Sequence, residues 1–540
     1  LVLVWAEAEN VDSAWSYFSS LGEKKEYYNL LEYLGSLYAE QGKSQKAITL
    51  FTRLLKEAPL RDTSPQVHLK LIELADSQNQ IDRVVDYLKT MQNLYMGQSE
   101  WKVARTYTIA NDKDASNLII QTKASIGFNL HRYGATYHKF YQKTQNIKYL
   151  HAAIKLYQSY LESFANLPES YEVRFYLADL LFDAKNYELA AKNYLKVSEQ
   201  GSVKDKYYYD SAINAVEAAT LAVKDTKYSN LSEKGRLVNP LTIPAAELLL
   251  IAAADNFIKL FPNNEKVAAM RYTVANKFFI FGHYEISIKR FAEIIALNAR
   301  SSQAEAAVKT ILAFYASNQS WVKLIEWGRK ILDSKSKFSP NTEKYVHEQL
   351  RVGVFKYGLA LEKEKKNFQA AKVFMDFQSD FPKDESADKA LYNASLNFYK
   401  GGKVMKALSA VILLLEKYPS SSLRSDVTLS VGETYRAIGE FEKAALYYAK
   451  FGDEFKNDKR AAESLHLAGI LYKGLSKLDD AYKAFHCLLK ANRVVALLKR
   501  LFYLWPKLLN LKVIIKRRLN ITKSLQKSSL RIIPIVLFWH

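Results

Sequence analysis

One cysteine, Cys487, is all that the 540 residues contain, so residues 1–486 have none. This excludes structural disulfides and cysteine-built zinc clusters from nearly the whole chain. Strand signals are almost absent, and the 11 prolines and 19 glycines fall mainly between apolar segments of helical period. There is no Walker-type glycine loop, no HExxH, no CxxC and no GxSxG. Gly353, Gly358, Gly401 and Gly402 lie in or between helical segments and read as packing or turn glycines. His131 and His138 stand seven apart, two helical turns or roughly 10 Å, too far for one metal ion. Gly134 and Ala135 offer no ligand between them. The carboxylates Asp479, Asp480, Asp183 and Glu188 read as turn residues and helix N-terminal charges. No constellation supports catalysis, a cofactor or a metal.

What the chain does have is internal repetition. Ala370, Ala407, Ala444 and Ala481 are 37 residues apart. Twelve residues before each stands Gly358, Ser395, Gly432 or Gly469, followed three residues later by Leu361, Phe398, Tyr435 or Tyr472. Four residues after each alanine stands Phe374, Val411, Tyr448 or Phe485. A fixed period of this length is the signature of stacked supersecondary units. Within Ser430–Phe451, Val431, Gly432 and Tyr435 share one side of a first helix, and Gly439 breaks the run. Phe441, Ala444, Ala445 and Tyr448 mark the facing side of a second helix. A small residue opposite an alanine is expected to let the two backbones approach, with rings filling the space on either side.

These residues resemble the tetratricopeptide repeat family. Leu34, Gly35, Tyr38, Gly42, Ala47, Phe51 and Pro59 carry its small–aromatic–glycine–alanine–aromatic–proline order, as do Gly358, Ala370, Phe374, Pro382 and Ser395, Phe398, Ala407, Pro419. Weaker copies occur at Ala178, Tyr187, Ala190, Tyr194 and at Ala275, Phe278, Tyr284, Ser287, Phe291. Second-helix anchors run 47 and 84, then 153 and 190, then 250, 287 and 324, then 370, 407, 444 and 481, with Val84, Leu250 and Leu324 in place of alanine. The resemblance covers about residues 25–486. It implies an all-α fold, a right-handed superhelical solenoid of helix–turn–helix repeats. Many of the 36 tyrosines are then explained as ring positions of the repeats, among them Tyr38, Tyr187, Tyr194, Tyr284, Tyr435, Tyr448 and Tyr472.

The chain divides into a lead-in segment 1–24, an N-terminal array 25–224, a polar insertion 225–244, a C-terminal array 245–487 and a tail 488–540. Within the first array a unit near 96–125 is degenerate, and its QTKASIGF reads poorly as either helix. A nine-residue excess around DSKSKFSPNT, like Asp225–Pro244, is expected to form an inert surface loop. The opening LVLVWAEAEN fits either the end of a secretory signal or the interior of a longer protein. The last acidic residue is Asp480, and 488–540 hold seven lysines, five arginines and no aspartate or glutamate, +12 of the formal +21. Three readings fit the tail: a basic arm for nucleic acid or anionic lipid, a degenerate capping helix, and sequence produced by a frame slip. Its final RIIPIVLFWH has nine uncharged residues, well under the roughly 20 a spanning helix needs. The repeat phase is expected to stop directly after Phe485, and the rest of the chain, 65 basic against 56 acidic residues, gives no reason to expect nucleic-acid binding.

The resemblance also implies that first helices line a concave face. Their outward positions are Tyr272, Asn276 and Phe279, then Phe355, Leu359 and Glu362, then Lys389, Tyr392, Leu396 and Tyr399, then Asp426, Leu429, Glu433 and Arg436. Exposed aromatics flanked by single charges suit a groove for an extended or helical peptide; inter-repeat packing over several of these rings is the alternative. FPNNEKVAAMRY, FPKDESADKALYNAS and YPSSSLRSDVTLSVG open repeats in a manner similar to bacterial envelope proteins: the periplasmic Tol-Pal coordinator, outer-membrane assembly lipoproteins and gliding-motility proteins. The expectation is a non-enzymatic scaffold that binds other proteins, in the periplasm or at the outer membrane. Membrane association is expected only through partners or an unseen N-terminal signal. The alternatives are a cytoplasmic adapter and the repeat module of a larger protein with a catalytic domain.

Overall fold

The computed structural model describes residues 2–106, 113–224, 239–334 and 337–490. Among them every regular element is a helix. The chain divides into two compact units, Leu1–Ala307 and Val308–His540. The insertion 225–244 lies inside the first unit.

The fold class is the expected all-α solenoid of paired helices. In the first unit the hairpins are Lys24–Glu40 with Ser44–Glu57, Ser64–Ser77 with Ile81–Tyr95, Lys113–Thr144 with Ile147–Phe164, and Glu169–Asp183 with Tyr187–Gln200. Tyr208–Lys224 with Ala245–Leu260 and Val267–Ile280 with Tyr284–Leu297 follow. In the second they are Pro340–Lys363 with Asn367–Asp380, Ala387–Lys400 with Val404–Lys417, Arg424–Ala437 with Phe441–Glu454, and Ala461–Gly474 with Leu478–Lys490, preceded by Trp321–Leu332. Within each unit successive hairpins pack on one another, so neighbours share buried apolar residues. The lead-in is two helices, Val2–Ala8 and Val11–Ser19. Ala6, Ala14, Trp15 and Phe18 are buried with Leu34, Tyr38 and Phe51 of the first hairpin.

All eleven anchors, 47, 84, 153, 190, 250, 287, 324, 370, 407, 444 and 481, lie on second helices and are buried. The contact they make differs in one respect from the expectation. The small residue of the first helix faces the ring four residues after the alanine, not the alanine itself. A Cβ added to Gly35 would come within 2.5 Å of the Phe51 ring, and one on Gly358 within 2.7 Å of Phe374. Gly432 meets Tyr448 and Gly469 meets Phe485 in the same way. The ring lies flat where a side chain would otherwise stand, which is why the first position stays small.

Every regular turn uses one backbone device. Seven residues after the position that holds glycine, alanine or serine in most first helices, and Ile72 or Leu312 in two, the chain enters the left-handed region: Gly42, Asn79, Lys185, Gly282, Gln319, Lys365, Gly402, Gly439 and Ser476 all have positive φ. The preceding residue ends the first helix, and the following amide closes onto a carbonyl five back, as Glu440 does onto Tyr435 at 2.9 Å. Gly439, at φ 83°, pays no steric penalty there.

Three loop expectations are corrected. QTKASIGF, 121–128, is the interior of the 32-residue helix Lys113–Thr144. Thr122, Ile126 and Gly127 face inward while Gln121, Lys123, Ala124 and Phe128 face out, and Gly127 makes room for the Phe164 ring. In this hairpin the small position is Gly134, against Tyr157, so both helices run longer than their neighbours and the phase slips. Of the DSKSKFSPNT segment, 333–334 and 337–339 are a connection as expected, but the added length before Ala370 is taken up by helix. Pro340–Lys363 has 24 residues where later first helices have 14. Ser339 caps its N-terminus through the Thr342 amide, with Pro340 in the first turn. Phe338, in the connection, is buried.

The polar insertion falls outside the described residues over 225–238. Its last part, 239–244, is not an inert loop. The Leu241 amide donates to the Phe281 carbonyl at 2.8 Å, His283 Nε2 donates to the Leu241 carbonyl at 3.0 Å, and Ile243 is buried with Ile251, Ala254, Val274 and Phe281. At the other end the repeat phase continues past Phe485. Leu488 is buried seven residues after Ala481, as Phe377, Leu414 and Phe451 are after their alanines. The rest of the tail, 491–540, lies outside the described residues.

Candidate partner-docking face

Because the rings of the second helices turn inward, the residues left facing out on the first helices are those beside the small position. In the second unit the position just after it holds Leu359, Leu396, Glu433 and Ile470. Leu396 is 36% exposed and Tyr399, one turn on, 59%. Ile470 shares this register and was not singled out from sequence, although its distance of 37 from Glu433 places it there. Neighbouring first helices are tied along this face by polar contacts. Lys400 Nζ bonds Glu362 Oε1 at 2.8 Å, Arg460, at the cap of the next first helix, bonds Asp426 at 2.8 Å, and Ser421, in the connection before a first helix, donates to Asp388.

Of the expected groove residues, Lys389, Leu396, Tyr399, Glu433 and Arg436 are exposed, as is Leu359. Tyr392 and Leu429 are half-buried against the core of Leu391, Val427 and Val431. Three rings turn toward their own hairpin. Phe355 lies 5.4 Å from Phe374 and 5.3 Å from Phe377. Tyr272 lies 5.4 Å from Phe291, and Phe279 is edge-on to Tyr284 at 5.2 Å. For these three, repeat packing is the better description, since an aromatic ring one turn from the helix interface gains more from the second helix than from water. Asn276 is half-buried on the same helix.

In the first unit the same register carries different chemistry. Glu172, Asp179 and Asp183 occupy the positions that Val352, Leu359 and Lys363 hold in the second unit. Glu172 Oε1 accepts from Tyr176 at 2.5 Å and from Tyr207 at 3.0 Å, which holds its carboxyl below the usual range. Lys206 donates to the Tyr207 hydroxyl at 2.8 Å. Asp179 is pushed up to about 6, first by burial and further by the charges of Asp183 and Asp210. His138 and His131, seven apart on one helix, each sit on tyrosine rings: His138 against Tyr157 and Tyr176, His131 against Tyr160. Burial pulls His138 down. The sequence signal missed was the 172, 179, 183 spacing, which places three carboxylates on one face of one helix.

Among the described residues no three histidine, cysteine, aspartate or glutamate side chains are placed to hold a metal ion. Among the same residues no helix is long and apolar enough to cross a membrane.

Two segments match models of the tetratricopeptide repeat: 29–60, the first hairpin, and 150–202, a second helix with the following hairpin. Comparison with curated proteins gives no match. Among solved structures, the tetratricopeptide domain of P58(IPK) aligns over 83% of this chain and 99% of its own, at 13% identity and TM-score 0.20. Yeast Tom70 aligns over 98% of each chain, at 13% identity and TM-score 0.21. Human IFIT1, in a structure with m7Gppp-AAAA, aligns over 90% of this chain and 95% of its own, at 13% identity and TM-score 0.18. Residues 29–60 and 150–202 are thus tetratricopeptide repeats, carried in a chain of paired helices whose fold class is the α-solenoid.

Proposed function

We propose that this chain is a non-enzymatic scaffold that holds segments of other proteins on the face formed by its first helices. The observation that carries the reading is a run of exposed apolar residues on first helices of the second unit: Leu359, Leu396 and Ile470 share one register, interrupted by Glu433, and Tyr399 stands one turn beyond Leu396. A row of aliphatic and aromatic side chains among single charges suits a peptide or helix segment. Such repeats serve in general as protein-interaction scaffolds. The setting we propose is the bacterial cell envelope, on the strength of the aromatic-Pro repeat openings at Phe261-Pro262, Phe381-Pro382 and Tyr418-Pro419.

The test is site-specific photo-crosslinking in cells, with the probe at Leu396 or Tyr399 and, on a second helix, at Leu446. Partner adducts should form at the first two positions, and Leu396→Glu with Tyr399→Ala should abolish them while helical content is kept. Adducts of equal yield at Leu446, or none at Leu396 and Tyr399, would sink the docking reading. Fractionation of the product of the complete native gene tests the setting separately. Recovery in the cytosol would remove the envelope.

A further inference from the structure

One segment of this chain already sits on a hairpin turn. Leu241, Thr242 and Ile243 alternate half-buried, exposed and buried, the pattern of an extended strand. The Leu241 amide donates to the Phe281 carbonyl, the residue that ends the first helix of Val267–Leu297, and His283 two residues later donates to the Leu241 carbonyl. Phe281 is 5% exposed beneath this cover.

The same turn recurs further along without a cover. Ile438, Gly439 and Glu440 repeat the geometry of Phe281, Gly282 and His283, with the Gly439 amide on Arg436 and the Glu440 amide on Tyr435. Leu475, Ser476 and Lys477 repeat it again, on Lys473 and Tyr472. Both turns keep an apolar residue at the Phe281 position, yet Ile438 is 40% and Leu475 38% exposed. Phe441 stands exposed beside the first. No donor among the described residues reaches the carbonyl of Ile438 or of Leu475. Lys477 holds the His283 position and supplies a donor that the first turn, with Glu440, lacks. Its ammonium pairs with Glu442 of the neighbouring hairpin. Two features that Leu241–Ile243 engages, an apolar side chain and a backbone carbonyl that no described donor otherwise reaches, therefore recur on consecutive hairpins.

We propose that the turn edge of the hairpins 424–454 and 461–490, centred on Leu475 and Ile438, is a docking surface for an extended partner segment of the form aliphatic–any–aliphatic. The first aliphatic residue covers Leu475 or Ile438, and its amide donates to that residue's carbonyl. This is peptide capture by backbone hydrogen bonding with alternate side chains buried. It is a surface separate from the first-helix face and does not depend on the function proposed for that face.

The probe is the hexapeptide of residues 239–244, Asn-Pro-Leu-Thr-Ile-Pro, labelled with a fluorophore and titrated with the full chain. Saturable binding is expected, with at least tenfold loss in the variant Ile438→Asp with Leu475→Asp. A control peptide with aspartate in place of its leucine and isoleucine should not bind. Both substituted residues are surface-exposed, so circular dichroism should be unchanged. A photoreactive form of the peptide gives a readout that needs no variant: adducts should map to 438–441 and 475–477. Absence of saturable binding up to about 1 mM, binding that the double variant leaves intact, or adducts at Leu396, Tyr399 or the Phe281 turn would each overturn the proposal.

Discussion

The Tyr194 hydroxyl donates to the Asp179 carboxylate at 2.5 Å, joining the two helices of Glu169–Gln200 at the face that successive first helices present. Tyr194 and the small Ala178 are buried in one apolar cluster, and the Tyr194 oxygen reaches Asp179. The carboxyl is held away from water, with Asp183 and Asp210 adding like charge.

A pH dependence follows from that carboxyl. Its folded value, pushed up to about 6, lies above that of an aspartate in water, so the native state holds the proton more tightly than the unfolded chain. The contribution is fully present below about pH 4 and is lost as pH rises through 6, costing about 1–2 kcal/mol after allowance for solvent screening. Asp179→Asn should flatten the denaturant midpoint between pH 4 and 7. A variant whose midpoint still falls with the native slope would assign that dependence elsewhere.

His68 works in the opposite direction. Its Nδ1 lies 2.6 Å from the Tyr95 hydroxyl, and burial lowers it to about 4. The native state therefore resists protonation: stability is present above about pH 6.5 and declines toward pH 4, by roughly 2–3 kcal/mol. His68→Gln should lose about 1 kcal/mol at pH 7 with the hydrogen bond yet show a shallower acid limb. Equilibrium urea curves across this range separate it from Asp179→Asn.

Glycine substitutions should sort by what a Cβ meets. Gly358→Ala drives a methyl into the Phe374 ring and should destabilise by about 1–3 kcal/mol. Gly474→Ala, at a helix end with nothing within 4 Å, should be neutral or stabilising by about 0.5 kcal/mol. Thermal unfolding monitored at 222 nm measures both, and equal effects would contradict the packing described.

Glu247 is buried and pairs with Lys277 at 2.9 Å. Lys277→Met leaves that carboxylate without its partner and should cost about 3 kcal/mol. Replacing both residues by methionine should recover most of the loss. A double variant as unstable as the single one would mean that the cost lies in packing rather than charge.

The repeat phase was legible because it is written in residue size: a glycine, an alanine and a ring at fixed offsets leave few arrangements for two helices. What was not legible came from places where helix length changed. The period gives no warning that Pro340–Lys363 gains its extra residues at its N-terminus, because a solvated turn of helix and a polar loop share a composition. QTKASIGF misled for a related reason, its inward set of Thr122, Ile126 and Gly127 being small or polar against Phe164. Along the first helices the phase located outward positions correctly for Leu396, Tyr399, Lys389, Glu433 and Arg436, which are exposed. It placed Phe355, Tyr272 and Phe279 outside because register fixes where a Cα sits, not which way a long ring leans.

The left-handed turn residue has a further consequence. Gly42, Gly282, Gly402 and Gly439 share their backbone state with Asn79, Lys185, Gln319, Lys365 and Ser476, so the helices impose the turn whether or not glycine is there to ease it. Lys185→Gly and Lys365→Gly should each raise stability by about 0.5–1 kcal/mol. Since the bend does not depend on its own side chains, the residues on either side of it are released from architectural duty. Ile438 and Leu475 before it, and Glu440 and Lys477 after it, differ from hairpin to hairpin while the turn keeps its geometry. The chain thus has a margin along which surface chemistry varies independently of fold.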